Sequence, residues 1–119
     1  MIYIRTFAYN AEKTLERAIE SILNQTYGEF KYYILENGSM DSTREIVKKY
    51  AEHDERIVPF YSDVNYDRST NKEFWHMLEA LEDEDYFCTL DADDYYELTF
   101  LEEMLTFVKE NGLGFAACG

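Results

Sequence analysis

Three carboxylates stand together in Leu90-Asp91-Ala92-Asp93-Asp94. An apolar, β-prone run, Tyr86-Phe87-Cys88-Thr89-Leu90, leads straight into them. Residues two apart on an extended chain point the same way, so Asp91 and Asp93 can address one point in space. Clustered carboxylates repel, and desolvation raises the cost unless something positive lies between them. A hard divalent cation with oxygen ligands, Mg2+ or Mn2+, fills that role. Such ions usually take one or two carboxylates plus the phosphates of a ligand. The stretch therefore reads as a metal-bridged diphosphate site at the end of a buried strand, with Asp91 and Asp93 on the metal. An acidic loop that caps the next helix is the plainer reading of the same residues.

Composition narrows the setting. A chain of 119 residues is one domain, 1–119, large enough for a real core. With 46% hydrophobic residues it is not a disordered chain. A net charge of −14 argues against nucleic acid and anionic membranes as partners. An anionic ligand would need local cations or a metal to approach. No run reaches the roughly 18 apolar residues of a membrane span. Met1 to Arg5 is too short for a signal sequence and reads as a strand. Cys88 and Cys118 lie in apolar runs without C-x-x-C spacing, which fits free thiols in a reducing, cytoplasmic setting.

The elements that must position the carboxylates alternate. Residues 2–9 are β-prone, and Asn10 stands as a helix N-cap. Leu15, Ala18, Ile19, Ile22 and Leu23 recur at helical spacing over roughly 11–25. Phe30 to Leu35 is an apolar strand expected to be buried on both faces. Asn37-Gly38-Ser39 is a turn, and Ser42-x-x-Glu45 is a capping box for the next helix. Arg56 to Ser62 is a third strand, and Pro59 places it at an edge or a bulge. Thr70-x-x-Glu73 and Thr99-x-x-Glu102 are two further capping boxes, each followed by apolar residues on one helical face. Strand four is 86–90, Asn111-Gly112 is a helix stop, and Leu113 to Cys118 begins a fifth strand. The single Trp75 reads as packing, and His53 and His76 match no motif.

This is β-α-β-α-β-α-β-α-β: an α/β, Rossmann-like, mostly parallel sheet with helices on both faces and right-handed crossovers. Ligands of such sheets bind beyond the carboxyl ends of the strands, where strand order reverses. With strand order 3-2-1-4 plus the fifth strand, Phe7-Ala8-Tyr9-Asn10 and Asp91 to Asp94 would converge on one rim, with Glu36-Asn37-Gly38-Ser39 one strand away.

Four phrases now read together. Phe7-Ala8-Tyr9-Asn10 ends strand one, and Ser21-Ile22-Leu23-Asn24-Gln25-Thr26-Tyr27 ends the first helix. Glu36-Asn37-Gly38-Ser39-Met40-Asp41-Ser42-Thr43 follows strand two, and Asp91-Ala92-Asp93-Asp94 follows strand four. In this order they resemble the nucleotide-binding half of a family 2 glycosyltransferase of the GT-A fold. The resemblance implies that Phe7, Ala8 and Tyr9 line the base pocket, partly through backbone groups. Asn37 stands where the family has an Asp that accepts a hydrogen bond from the base. Its amide oxygen can still accept, but the charge is lost, which weakens the case for uracil. Glu36 replaces the first Asp of that pair and keeps its charge. Asp91 would contact ribose or the metal shell, Asp93 would ligate Mn2+ or Mg2+, and Asp94 would orient the loop. The family's Arg-Asn after strand three is absent. Lys72 takes its place by spacing, and Arg68 lies nearby.

The implied reaction is transfer of a sugar from a nucleotide diphosphate, a UDP-sugar foremost, to a saccharide or other hydroxyl acceptor, with inversion. In the family the acceptor's carboxylate base lies after strand five, so this chain is expected to be a truncated domain that binds donor but transfers nothing alone. Membrane association would have to come from parts outside the chain. The rival is a non-catalytic nucleotide-binding or assembly module, a homo-oligomer through the exposed sheet edge. A nucleotidyltransferase lacks its Gly-rich loop here, and a P-loop NTPase lacks G-x-x-x-x-G-K-[ST]. A receiver-like domain would need an Asp pair after strand one.

Overall fold

Ile2, Ile4, Thr6 and Ala8 alternate with Tyr3, Arg5 and Phe7, and that period of two makes β1 (Ile2–Ala8). The computed structural model describes residues 1–62, 79 and 85–110. In it β1 is followed by α1 (Leu15–Leu23), β2 (Phe30–Asn37), α2 (Thr43–His53), β3 (Ile57–Ser62), β4 (Tyr86–Thr89) and α3 (Phe100–Glu110). The strands form one sheet, parallel as the alternation implied, in the expected order β3-β2-β1-β4. Pro59 lies in β3, at an edge of this sheet, where a missing N–H costs no ladder bond on the outer side. The third expected helix, the Thr70 capping box, Trp75, His76, Asn111-Gly112, Cys118 and the fifth strand lie outside the described residues.

One face of the sheet carries the core. Ile2, Ile4 and Ala8 of β1, Phe30, Tyr32 and Ile34 of β2 and Ile57 of β3 pack against Leu15, Ala18, Ile19 and Ile22 of α1, Val47 of α2 and Leu101 of α3. Each large aliphatic among them contributes about 1.5–3 kcal/mol by leaving water. On the opposite face Tyr33 stacks between Tyr3 and Phe60, with ring centroids 6.1 and 5.9 Å away. Lys31 on that face is exposed and Tyr33 half-buried, so β2 is fully buried on one face and only towards its carboxyl end on the other. No helix among the described residues is long and apolar enough to cross a membrane.

The helix starts differ from the sequence reading. α1 begins at Leu15, not after Asn10, which adopts a left-handed backbone with φ 47°. Asn tolerates that conformation better than most residues. At α2 the Ser42 side chain makes no cap bond. Asp41 Oδ1 instead accepts from the Thr43 amide at 2.9 Å. At α3 Glu102 turns away from the Thr99 box and accepts from Thr26 Oγ1 at 2.8 Å. At α2 a neighbouring carboxylate, and at α3 a tertiary hydroxyl, takes the place of the reciprocal bond.

Candidate functional site

β4 ends at Thr89, but the Leu90 amide still donates to the Arg5 carbonyl at 3.0 Å. The chain therefore leaves the sheet at Asp91, beside the end of β1. It does not stay extended. The Asp94 amide donates to the Asp91 carbonyl at 3.0 Å, which closes a four-residue turn. That turn brings oxygens of Asp91, Asp93 and Asp94 within 4.8 Å of one another, all three side chains being exposed. Asp91 and Asp93 converge as the sequence suggested, through a turn rather than a pleat. Asp94, read there as orienting the loop, joins them because a turn brings its first and fourth residues together. The donor set is all carboxylate oxygen at an open rim, which fits a hard divalent cation that keeps room for water and phosphate.

The near end of this turn is fixed from below. Thr6 Oγ1 donates to the Leu90 carbonyl at 2.7 Å. The Tyr32 hydroxyl lies 2.7 Å from the same Thr6 oxygen. Thr6 has given its only proton to Leu90, so Tyr32 donates to Thr6. Both side chains are fully buried, and burial pushes the Tyr32 hydroxyl well above the ordinary tyrosine range. It stays a neutral donor. Burial also raises the Cys88 thiol, to about 11.

The far end is held by α1 and the residues just after it. The Tyr96 amide donates to Ser21 Oγ at 3.1 Å, and the Thr26 amide to the Leu98 carbonyl at 2.9 Å. Gln25 Nε2 donates to the Glu97 carbonyl at 2.6 Å, and Gln25 Oε1 accepts from the Leu101 amide at 2.9 Å. Arg17 donates from Nη2 to the Asp93 carbonyl at 3.3 Å and lies over the Tyr95 ring. The family-like phrase Ser21 to Tyr27 thus grips the segment that follows the carboxylates.

The phrases after β1 and β2 grip each other. The Asn10 amide donates to Ser39 Oγ at 3.0 Å, and the Met40 amide to Asn10 Oδ1 at 2.8 Å. Thr43 Oγ1 accepts from the Ala11 amide at 2.8 Å and donates to Asp41 Oδ1. Asp41 Oδ2 accepts from the Glu12 amide at 3.3 Å, and Glu12 Oε2 from the Ser42 amide at 3.0 Å. Partial burial works against the Asp41 charge. The bonds from Thr43 and Glu12 outweigh it and hold the carboxyl below the usual range.

The remaining expected site residues divide by exposure. Phe7 and Ala8 are buried at the end of β1, so Ala8 offers only its backbone, while Tyr9 is 45% exposed. Asn37 ends β2, one residue beyond the Ala8–Glu36 pair. Glu36 points to the opposite face of β2. Its Oε1 accepts from the Ser39 amide at 2.6 Å, and its Oε2 pairs with Arg44 Nε at 2.8 Å. Glu36 braces the turn beneath Asn37. Arg68 and Lys72 lie outside the described residues. His53 is exposed against the Lys49 carbonyl at the end of α2, away from the strand ends.

Residues 4–119 match the model of glycosyl transferase family 2. The chain belongs to that family. This family 2 chain is 30% identical over its whole length to TuaG of Bacillus subtilis, which is named as a teichuronic acid biosynthesis glycosyltransferase, and covers 46% of that protein. It is 32% identical over 88% of its length to an uncharacterized glycosyltransferase of Haemophilus influenzae, covering 41% of it. The chain therefore spans less than half the length of these relatives. Its fold is that of TarS from S. aureus, solved also with UDP-GlcNAc. The TM-score is 0.75 for both structures, at 24% and 22% identity over 93% of this chain and about a third of the TarS 1–349 chain.

Proposed function

We propose that this chain is the donor-binding half of a glycosyltransferase that holds a nucleotide-diphosphate sugar through a divalent cation at the Asp91–Asp94 turn. The observation that carries the reading is the convergence of three exposed carboxylates within 4.8 Å on the rim where β1 and β2 also end. Asp91 and Asp93, joined by Asp94, would hold Mn2+ or Mg2+, which when bound supplies Lewis-acid neutralisation of the leaving diphosphate. Tyr9 and the backbone at Phe7 and Ala8 would receive the base. The Asn37 amide would hydrogen-bond its edge, with Glu36 and Arg44 fixing the turn from the other side. Arg68 and Lys72 are the nucleotide-binding cations that the family spacing offers. A fold neighbour known in complex with UDP-GlcNAc supports a uridine nucleotide.

The reaction class is inverting transfer of the sugar to an acceptor hydroxyl. The 119-residue chain alone is expected to bind donor without turning it over. A cytoplasmic setting belongs to the same reading, since Cys88 is a free thiol and free thiols suit a reducing compartment. Calorimetry with UDP, GDP and CDP, each with and without Mn2+, tests the proposal. UDP should bind, and only with Mn2+. Equal heats for all three bases, or none, would reject it.

A further inference from the structure

We infer that Gln25 is a positioning residue for the acidic turn, setting the spacing of Asp91, Asp93 and Asp94 through the segment that follows them. The inference rests on the metal reading given above. It begins from the electrostatics of that turn. Three like charges within 4.8 Å push the turn open, and among the described residues no side chain hydrogen-bonds to these carboxylates. Against that push the turn has its own Asp94–Asp91 backbone bond and Arg17 on the Asp93 carbonyl, so anchors on either side of it must carry the rest before a cation arrives.

Its two ends are anchored unequally. At the near end the bond from Thr6 to the Leu90 carbonyl is buried and lies directly before Asp91. At the far end the anchors are spread over residues 96–101, and Gln25 is the buried one, at 7% exposure. Its amide satisfies two different backbone groups there at once. Leu101 is the second residue of α3, so its N–H has no partner within the helix. Gln25 Oε1 supplies one from just beyond α1, 76 positions away in the chain. Gln25 Nε2 meanwhile holds the Glu97 carbonyl and is itself aimed by the Ser21 carbonyl at 2.9 Å. One planar amide thus fixes both the start of α3 and the loop leading into it. A freely rotating side chain could not set both at once.

The chemistry of the side chain makes the idea specific. Glutamate at position 25 keeps an acceptor for Leu101 but cannot donate to Glu97 when ionised. Leucine loses both bonds and leaves the Leu101 amide unpaired. Partners that orient metal ligands from behind commonly alter metal affinity by about 10- to 100-fold. A residue that only fills the core would lower stability and leave the affinity of the folded protein unchanged.

The test compares the 119-residue chain with Gln25→Leu, Gln25→Glu and Val47→Ala. Val47 is a fully buried α2 residue away from the turn, and its truncation is the purely structural control. Two quantities are read at matched folded fraction: Mn2+ affinity, and hydrogen exchange of the Asp94 amide, which closes the turn. Both Gln25 variants should weaken Mn2+ binding about tenfold and speed Asp94 exchange, while Val47→Ala changes neither. Unchanged affinity and exchange in the Gln25 variants would overturn the inference. If the parent chain binds no Mn2+, the metal reading fails by itself. Asp94 exchange then still decides whether Gln25 positions the turn. Should the Gln25 variants not fold, Ser21→Ala, which removes the acceptor for the Tyr96 amide, takes their place with the same two outcomes.

Discussion

At the ends of β1 and β2, Asn10, Ser39, Asp41 and Thr43 bond to one another and to nearby amides. At the end of β4, the carboxylates of Asp91, Asp93 and Asp94 stand exposed and crowded, and no described side chain bonds to them. Both regions are short polar turns at carboxyl ends of parallel strands, and both carry residues typical of family 2. Their chemistry differs because of where the donors are. The first turn packs against the loop before α1 and the start of α2, whose amides at Ala11, Glu12 and Thr43 are taken up by its oxygens. The second turn is anchored through backbone groups in and around it, by Thr6, Arg17, Ser21 and Gln25, so its carboxylates are left for something else. A family motif residue can thus be architecture or chemistry, and the hydrogen-bond partner tells which.

The comparison breaks most readily at Asp93. Asp93→Asn should abolish detectable Mn2+-dependent UDP binding while leaving thermal stability unchanged or slightly raised, because one repulsive charge is gone. A large loss of stability would mean that the acidic turn is architecture too. Calorimetry and a thermal melt on one preparation read both.

The anchors beneath the turn come next. Thr6→Val strands the buried Leu90 carbonyl and Tyr32 hydroxyl, each at about 1–3 kcal/mol, and should lower the melting temperature clearly. Tyr32→Phe removes one bond but leaves Thr6 donating to Leu90, so its cost should be nearer 1 kcal/mol. The reverse ranking in denaturant titrations would refute the donor assignment made for this pair.

Asp41→Ala sharpens the contrast from the other side. It should cost about 1 kcal/mol as a lost helix cap and leave Mn2+ affinity unaltered. The same turn predicts a pH dependence. The carboxyl of Asp41 is held low in the folded chain as described, and that of Asp54 mainly by its bonds from Arg56. A depressed folded value means stability present above the unfolded value of about 3.9 and lost as pH falls through the folded one. Melts from pH 6 downward should be flat until near pH 4 and then decline, and Asp41→Ala should soften that decline. The smallest effect concerns Cys88. With its thiol raised to about 11, native protein at pH 8 should react slowly with a thiol reagent and unfolded protein quickly.

Much of this was legible beforehand, for identifiable reasons. Strands such as Phe30 to Leu35 declare themselves by apolar, β-prone runs, and Pro59 pointed to an edge or a bulge, of which β3 is the edge. α1 showed its core face at Leu15, Ala18, Ile19 and Ile22. The capping boxes misled because Ser/Thr-x-x-Glu is a local pattern. At the Thr99 box the actual partners, Gln25 for Leu101 and Thr26 for Glu102, come from 76 residues away, and at the Ser42 box the neighbouring Asp41 takes the Thr43 amide. Asn10 misled similarly, since its side chain serves the turn after β2 rather than α1. An extended reading of the stretch brings only Asp91 and Asp93 together, and the turn at Asp91 adds the Asp94 carboxylate to them.

The central claim is that the Asp91–Asp94 turn couples a divalent cation to a nucleotide diphosphate. Titrating UDP into the parent chain and into Asp91→Asn and Asp93→Asn, with and without Mn2+, tests it most directly. The account predicts binding by the parent chain with Mn2+ only, and none by either variant. UDP binding of equal strength without Mn2+, or in the Asn variants, would contradict it.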